Sequence, residues 1–313
     1  MLVTGAMALG MPSLSSCSEN IKKRIILYFT ATGNSLYVAR QLADKTTELL
    51  SIPQLVKHGR YELEADEIGI VYPIYGQMPP NMVRRFIQKA RLKATYKFAV
   101  LTYGNMQFAA VGIWDEVSRK AGNAFDYITS ILMVDNWLPN FDMNEQMKID
   151  KHIPESLERI AADITARKHE IPPTEEWGKQ LFDRFIRDRG LDPEVGYLMH
   201  SEDYFVVTDA CIGCAVCTEV CPRGNYELTS TGVKTKGDCD FCFACIQNCP
   251  QKAIQFAELP DSPFLAHGEK NPNPVSATST CRSGASRRRT GNNLRKTGYL
   301  RYSVGVMPKF CRT

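Results

Sequence analysis

The chain has 313 residues, 44% of them hydrophobic, and no apolar run nears the roughly 18 residues that a membrane-spanning helix needs. Its net charge of +4 comes from the C-terminal end: residues 271–313 hold nine Lys or Arg and no Asp or Glu, which leaves 29 basic against 34 acidic residues elsewhere, a charge of −5. An acidic body repels phosphate backbones and argues against nucleic acid as a partner. Eight of the 11 cysteines crowd between Cys211 and Cys249, which excludes a secreted disulfide framework and points to metal ligation in a reducing compartment.

Residues 1–21 are small and apolar and run into Leu14-Ser15-Ser16-Cys17, resembling the back half of a bacterial lipoprotein signal with Cys17 at the lipidated position. The basic n-region of a signal is missing, so this segment reads as a leader or remnant on a cytoplasmic protein; export with a lipid anchor at Cys17 is the alternative. From residue 22 the pattern alternates. Strands are predicted at 24–29, 67–73, 98–103 and 128–134, from their β-branched and aromatic runs. Helices are predicted at 35–46, where Leu36, Ala39, Leu42 and Ala43 share a face, and at 83–90 and 112–121. Such alternation predicts a doubly wound α/β domain over 22–142, with a parallel sheet covered on both faces. Two more helices, 145–168 and 177–189, flank Ile171-Pro172-Pro173-Thr174 and form a helical connector (143–202) expected to pack on the α/β domain.

Between the first strand and the first helix lies Thr30-Ala31-Thr32-Gly33-Asn34-Ser35. Hydroxyls and backbone N–H groups at a helix N-terminus make an anion cradle, and Gly33 permits the tight turn; the alternative role for Thr and Ser here is simple helix capping. Neither G-x-G-x-x-G nor a Gly-Lys-Ser/Thr ending is present, so dinucleotide and ATP loops are not indicated. The segment resembles the flavodoxin phosphate loop, T/S-x-T-G-N-T/S, which implies a flavin mononucleotide (FMN) phosphate. Two further loops leave C-terminal strand ends, Ile74-Tyr75-Gly76 and Tyr103-Gly104-Asn105, where open α/β sheets bind ligands. The resemblance implies that Tyr75 and Tyr103 contact the isoalloxazine ring, with Gly76 and Gly104 allowing close backbone approach.

Cys211, Cys214, Cys217 and Cys221 before Pro222 make C-x2-C-x2-C-x3-C-P, and Cys239, Cys242, Cys245 and Cys249 before Pro250 repeat it 28 residues later. Two short turns aim three thiolates at one iron–sulfur cube, while the fourth cysteine is displaced toward the other cube. The spacing therefore assigns one 4Fe-4S cluster to Cys211, Cys214, Cys217 and Cys249, and the second to Cys239, Cys242, Cys245 and Cys221. Zinc also uses C-x2-C pairs, but joins two of them through a longer loop and does not call for a third and fourth cysteine with a terminal Pro, twice. The segment resembles bacterial two-cluster ferredoxins over 203–257, at all eight ligands, and predicts a small α+β domain at 203–258.

Together the two halves resemble a family of flavodoxin and ferredoxin fusion proteins of anaerobic bacteria, over residues 22–270. The resemblance implies an electron-transfer protein that links redox partners through FMN and two 4Fe-4S clusters, rather than a self-standing enzyme. A flavin-dependent reductase of a small acceptor, fed by the clusters, is the rival; a polyanion-binding role for the basic tail is a third. No Ser-His-Asp set appears, and His58, His152, His169, His200 and His267 stand singly. Residues 259–313 are expected to form a disordered basic tail or, from about residue 274, a segment read in a shifted frame, since acidic residues vanish and no periodicity can be counted.

Overall fold

A computed structural model describes residues 23–137, 141, 143–188, 205–237 and 239–256. The expected leader with Cys17, residues 189–204 and the expected tail lie outside them. The first half runs β1 (Arg24–Tyr28), α1 (Asn34–Gln41), β2 (Thr47–Ser51), α2 (Ile52–Lys57), β3 (Glu62–Glu64), β4 (Glu67–Pro73), α3 (Asn81–Lys89), β5 (Arg91–Lys93), β6 (Tyr96–Tyr103), α4 (Ala110–Lys120) and β7 (Tyr127–Leu132). Then come α5 (Met143–Gln146), α6 (Ile153–Thr165) and α7 (Glu176–Asp188).

Five strands form a parallel sheet in the order β2-β1-β4-β6-β7, with Leu27 opposite Leu50 on one side and Ile70 on the other. Numbered within the sheet this is 2-1-3-4-5, the flavodoxin-like doubly wound order, whose switch point lies between β1 and its neighbour on the far side. Alternation along the strands separates two cores. Ile25, Leu27, Ile70 and Leu101 meet Leu55 of α2, Phe86 of α3 and Trp114 of α4. Ile26, Val71, Val100 and Ile131 meet Val38 of α1 and Leu157, Ile160 and Ile164 of α6. Each such side chain contributes about 1.5–3 kcal/mol on burial. Because both faces are covered, β4 is buried from Glu67 to Tyr72. Its one charge, Glu67, is held by Arg24 at 2.7 Å and Arg167 at 3.0 Å, which ties the end of α6 to the sheet.

Three details depart from the sequence reading. The first helix stops at Gln41 rather than 46, because Asp44 turns the backbone by accepting the Thr46 N–H at 2.8 Å and the Thr46 and Thr47 hydroxyls. Edge strand β2 and short α2 follow, both absent from the prediction. The helix expected over 145–168 is broken between α5 and α6, where His152 is left-handed (φ 49) and Pro154 can only begin a helix.

The cysteine-rich half contains β8 (Phe205–Val207), α8 (Val216–Val220), β9 (Tyr226–Thr229), β10 (Gly232–Thr235), α9 (Ala244–Asn248) and β11 (Ile254–Phe256). β9 and β10 form a hairpin, while β8 and β11 pair antiparallel and close the domain on itself. Its small core of Phe205, Tyr226, Phe241, Phe243, Ile246, Ile254, Cys217 and Cys245 reaches across to Val134 and Trp137 of the α/β half.

Candidate cofactor sites

The C-terminal ends of β1, β4, β6 and β7 open onto one cavity of about 380 Å³, within the range of small-ligand sites. Thr30, Ala31, Thr32, Asn34, Ser35, Tyr75, Gly76, Tyr103 and Gly104 all line it; of the loop residues picked from sequence only Gly33 does not. Gly33 acts through its backbone. It sits at φ 111 before α1, where no side chain caps the helix, and its N–H donates to Thr30 Oγ1 at 3.1 Å. The first-turn N–H groups of α1 therefore face the loop uncapped by any side chain, which suits an anion.

The hydroxyls are partly committed. Thr32 Oγ1 accepts the Asn136 amide, which leaves its own proton to donate. Ser35 is buried and pairs with Thr102 at 2.8 Å, so it orders the loop from below. Asn34 Nδ2 donates to Val134 O at 2.9 Å and ties the loop to the segment after β7. Among the described lining residues there is no Lys, Arg or His, so the attraction these offer an anion comes from N–H and O–H dipoles.

Tyr75 opens a tight turn in which Tyr75 and Met78 exchange backbone hydrogen bonds of 2.9 and 3.0 Å around Gly76 (φ 53) and Gln77 (φ 71). Its hydroxyl is pushed well above the usual range, by burial first and then by the charges of Cys242, Asp240 and Cys239. Burial likewise raises Tyr103, against a hydrogen bond from the Ser130 side. At Gly104 a Cβ would lie 2.5 Å from both Cα and Cγ of Asp135. The space that glycine frees is thus taken by Asp135, a use different from the ring approach expected.

Asp135, Asn136 and Trp137 are a fourth wall that the sequence reading missed. The signal was available, since they follow the last sheet strand at its C-terminal end as the other loops do. Asp135 is 7% exposed and accepts the Trp137 N–H at 2.9 Å. Burial raises its carboxyl, opposed by the Trp137 N–H and by the charge of Lys151.

The last wall comes from the cysteine-rich half, through Asp240, Phe241, Cys242 and Phe243. Trp137 meets Phe243 at 5.0 Å and Phe241 at 5.8 Å between ring centres. Asp240 Oδ2 accepts the Met82 N–H at 3.4 Å, at the start of α3, a helix that no side chain of its own N-cap residue serves. Gln247 Nε2 donates to Asn136 O at 3.4 Å.

The eight cysteines fall into two groups, and the fourth member of each comes from the other run. Cys211, Cys214, Cys217 and Cys249 line one small cavity together. The Cys217 thiol is pushed up to about 11, by burial first and then by Cys214, Cys249 and Cys211. Cys245 is pushed up to about 12, mainly by burial, with Cys239 and Cys221 adding and the Tyr226 hydroxyl opposing. Cys242 is also raised well above the usual thiol range, by burial first and then by Cys239, Cys245 and Cys221. Thiolates crowded in this way call for cations between them, which iron supplies. Donors already aim at the sulfurs: the N–H groups of Asn225, Phe241 and Ala253 reach Cys221, Cys239 and Cys249 at 3.3, 3.2 and 3.2 Å, and Tyr226 Oη reaches Cys245 at 3.3 Å. Among the described residues, no three His, Cys, Asp or Glu side chains meet the geometry of a single-ion site.

Residues 204–250 match the 4Fe-4S dicluster domain. The chain joins a flavodoxin-like α/β domain to a 4Fe-4S dicluster domain. The dicluster domain is similar to a probable iron-sulfur subunit of the Frd operon of Proteus vulgaris, 32% identical over 80 residues, which are 19% of this chain and 51% of that protein. It is also similar to the putative electron transport protein YsaA of Escherichia coli, 40% identical over 62 residues (18% of this chain, 40% of that protein). One of the polypeptides of the anaerobic dimethyl sulfoxide reductase of E. coli is 35% identical over 86 residues (24% and 40%). The chain spans about half or less of the length of these curated relatives. Among solved structures, a Lactobacillus acidophilus flavoprotein in complex with FMN aligns with 35% of this chain and 93% of its own, at 16% identity and a TM-score of 0.27. At that score the strand order, not the likeness, establishes the α/β fold.

Proposed function

We propose that the protein is an electron carrier in which FMN occupies the cavity at the sheet edge and the dicluster domain holds two 4Fe-4S clusters. The observation that carries this reading is the shared cavity: residues of the Thr30–Ser35 loop and Cys242 of the dicluster domain line the same space. The phosphate is held by the loop N–H groups and Thr32, the ring by Tyr75, Tyr103 and Trp137, and the clusters by the two cysteine groups. When bound, FMN exchanges one or two electrons and each cluster exchanges one, which converts between two kinds of redox partner. The relatives' names as iron-sulfur and electron transport proteins support a redox protein as partner. On this reading residues 22–142 are the FMN domain, 143–202 a connector whose described part, 143–188, packs on it, and 203–258 the cluster domain. Among the described residues no helix is long and apolar enough to cross a membrane.

Part of the cavity rim is open, with Met106 54% exposed, and this favours a second reading as a reductase of a small acceptor at the flavin. Anaerobic purification followed by iron, sulfide and flavin analysis tests the main reading, which expects about eight irons, eight sulfides and one FMN per chain. Stoichiometric zinc without cluster absorption would overturn it. Saturable turnover with a small acceptor, against reduction of a redox protein alone, separates the two readings.

A further inference from the structure

The two cysteine runs are copies in sequence but not in surroundings. Each run places two residues in left-handed backbone, at the second position of the first C-x2-C and the first position of the next. In the first run these are Gly213 (φ 64) and Ala215 (φ 61), small residues of the kind such backbone tolerates. In the second run, 28 residues on, they are Phe241 (φ 54) and Phe243 (φ 60). Bulky side chains are uncommon there, and a strained position kept by its surroundings is where a functional demand should be sought. Both rings are buried, at 4% and 3% exposure, both pack on Trp137, and both line the cavity with Cys242 between them. The Cys211, Cys214, Cys217 and Cys249 group lines a separate cavity whose described lining residues all belong to the dicluster domain.

We propose that the two clusters are unequal: the one held by Cys221, Cys239, Cys242 and Cys245 exchanges electrons with the flavin across the Phe241–Cys242–Phe243 wall. The cluster of Cys211, Cys214, Cys217 and Cys249 is then one step further out, toward an external one-electron redox protein. This rests on the cavity being the FMN site. Each transfer moves one electron, so the inner cluster is oxidised by one as the flavin is reduced by one, or the reverse. In the first direction the outer cluster returns one electron to the inner one from the external partner, and in the reverse it passes one electron from the inner cluster to that partner; protons that accompany flavin reduction come from solvent and return to it on reoxidation. Phe241, Phe243 and Trp137 are positioning residues, which hold the wall against the ring.

The test uses the full chain with reconstituted clusters, titrated electrochemically with and without FMN while the two cluster signals are followed by electron paramagnetic resonance. Tyr226→Phe removes a hydroxyl that reaches Cys245 and so marks the inner cluster by a downward shift in its midpoint. The expected result is that FMN shifts the spectrum or midpoint of the marked signal and leaves the other unchanged. Phe243→Ala, which restores the small residue of the first run, should shrink that FMN-induced shift with both clusters retained. With FMN bound stoichiometrically, a shift confined to the unmarked cluster, or no shift in either, overturns the proposal. Failure of the wild-type chain to bind FMN at all overturns the cavity reading, and the proposal with it.

Discussion

The α/β domain and the dicluster domain are held together by different means. The first stacks two apolar layers on a buried sheet, with side chains such as Phe86, Trp114, Phe98 and Ile160 fully enclosed. Among its described residues, the second has a core cluster of eight buried side chains, two of them cysteines, around short strands and two helices of five residues each. So small a core supplies little stability by itself, and domains of this kind depend on a metal for the remainder. One half is therefore folded by its apolar side chains, and the other by what its thiolates bind.

Removing iron should break this comparison most visibly. Anaerobic chelation is expected to abolish the tertiary structure of the dicluster domain, with proteolysis confined to 205–256, while the α/β domain keeps its own cooperative transition. A single collapse of both halves by circular dichroism would show that the α/β core is not self-sufficient. Next, Cys221→Ala should cost the cluster of Cys239, Cys242 and Cys245 rather than that of its sequence neighbours, halving the iron content. Spectroscopy showing loss of the other cluster refutes the crossed grouping.

Within the α/β half, Gly33→Asp places a carboxylate in the anion cradle at φ 111, where only glycine is at ease. FMN affinity should fall by at least about 100-fold, roughly 3 kcal/mol, with both clusters intact. Isothermal titration at unchanged iron content checks it. A smaller effect is expected from Gly104→Ala, whose Cβ would lie 2.5 Å from the Asp135 backbone and force that loop aside. The cost should be about 1–3 kcal/mol in denaturant melts, as for an overpacked core.

The smallest effect is electrostatic. Asp135 titrates above the ordinary carboxyl value of 3.8 because it is buried, so its folded form holds a proton more readily than its unfolded form. The favourable contribution is present at acid pH and is lost as pH rises through the folded-state value. Asp135→Asn keeps an acceptor for the Trp137 N–H and removes the charge. It should be more stable than the wild type near neutral pH and no more stable well below 3.8, and equal stability of both proteins at pH 7 would contradict the sign.

Legibility in the sequence followed the range of the interaction. The cysteine runs and the Thr30–Ser35 loop are local devices, in which residues a few positions apart serve one ligand, and they could be read directly. So could the apolar and aromatic runs that become β1, β4 and β6. What escaped depended on competition or on distance. Asp44 ends α1 by accepting three local hydrogen bonds, one from the Thr46 N–H and two from the Thr46 and Thr47 hydroxyls, which a count of apolar spacing does not weigh. Edge strand β2 is half-exposed and carries Glu48, so it lacks the apolar run that marks its buried neighbours. The Asp135–Trp137 wall had a local sign in its place after the last sheet strand, but the roles of Phe241 and Phe243 rest on contacts with Trp137 about a hundred residues away, for which the chain offers no nearby sign.

The hydrogen bond from the Met82 N–H to Asp240 gives helix α3 an N-terminal partner from the other domain, alongside the aromatic contacts of Trp137. A cavity walled in this way makes its ligand a staple, since binding favours the docked arrangement and docking in turn strengthens binding. By thermodynamic reciprocity, iron that orders one wall must raise the affinity of the cavity for its ligand by the same factor that the ligand raises the affinity for iron. On the proposed assignment of the cavity to FMN, loading is thereby concerted: a chain short of iron would hold flavin less tightly, and half-loaded molecules would be rarer than full or empty ones.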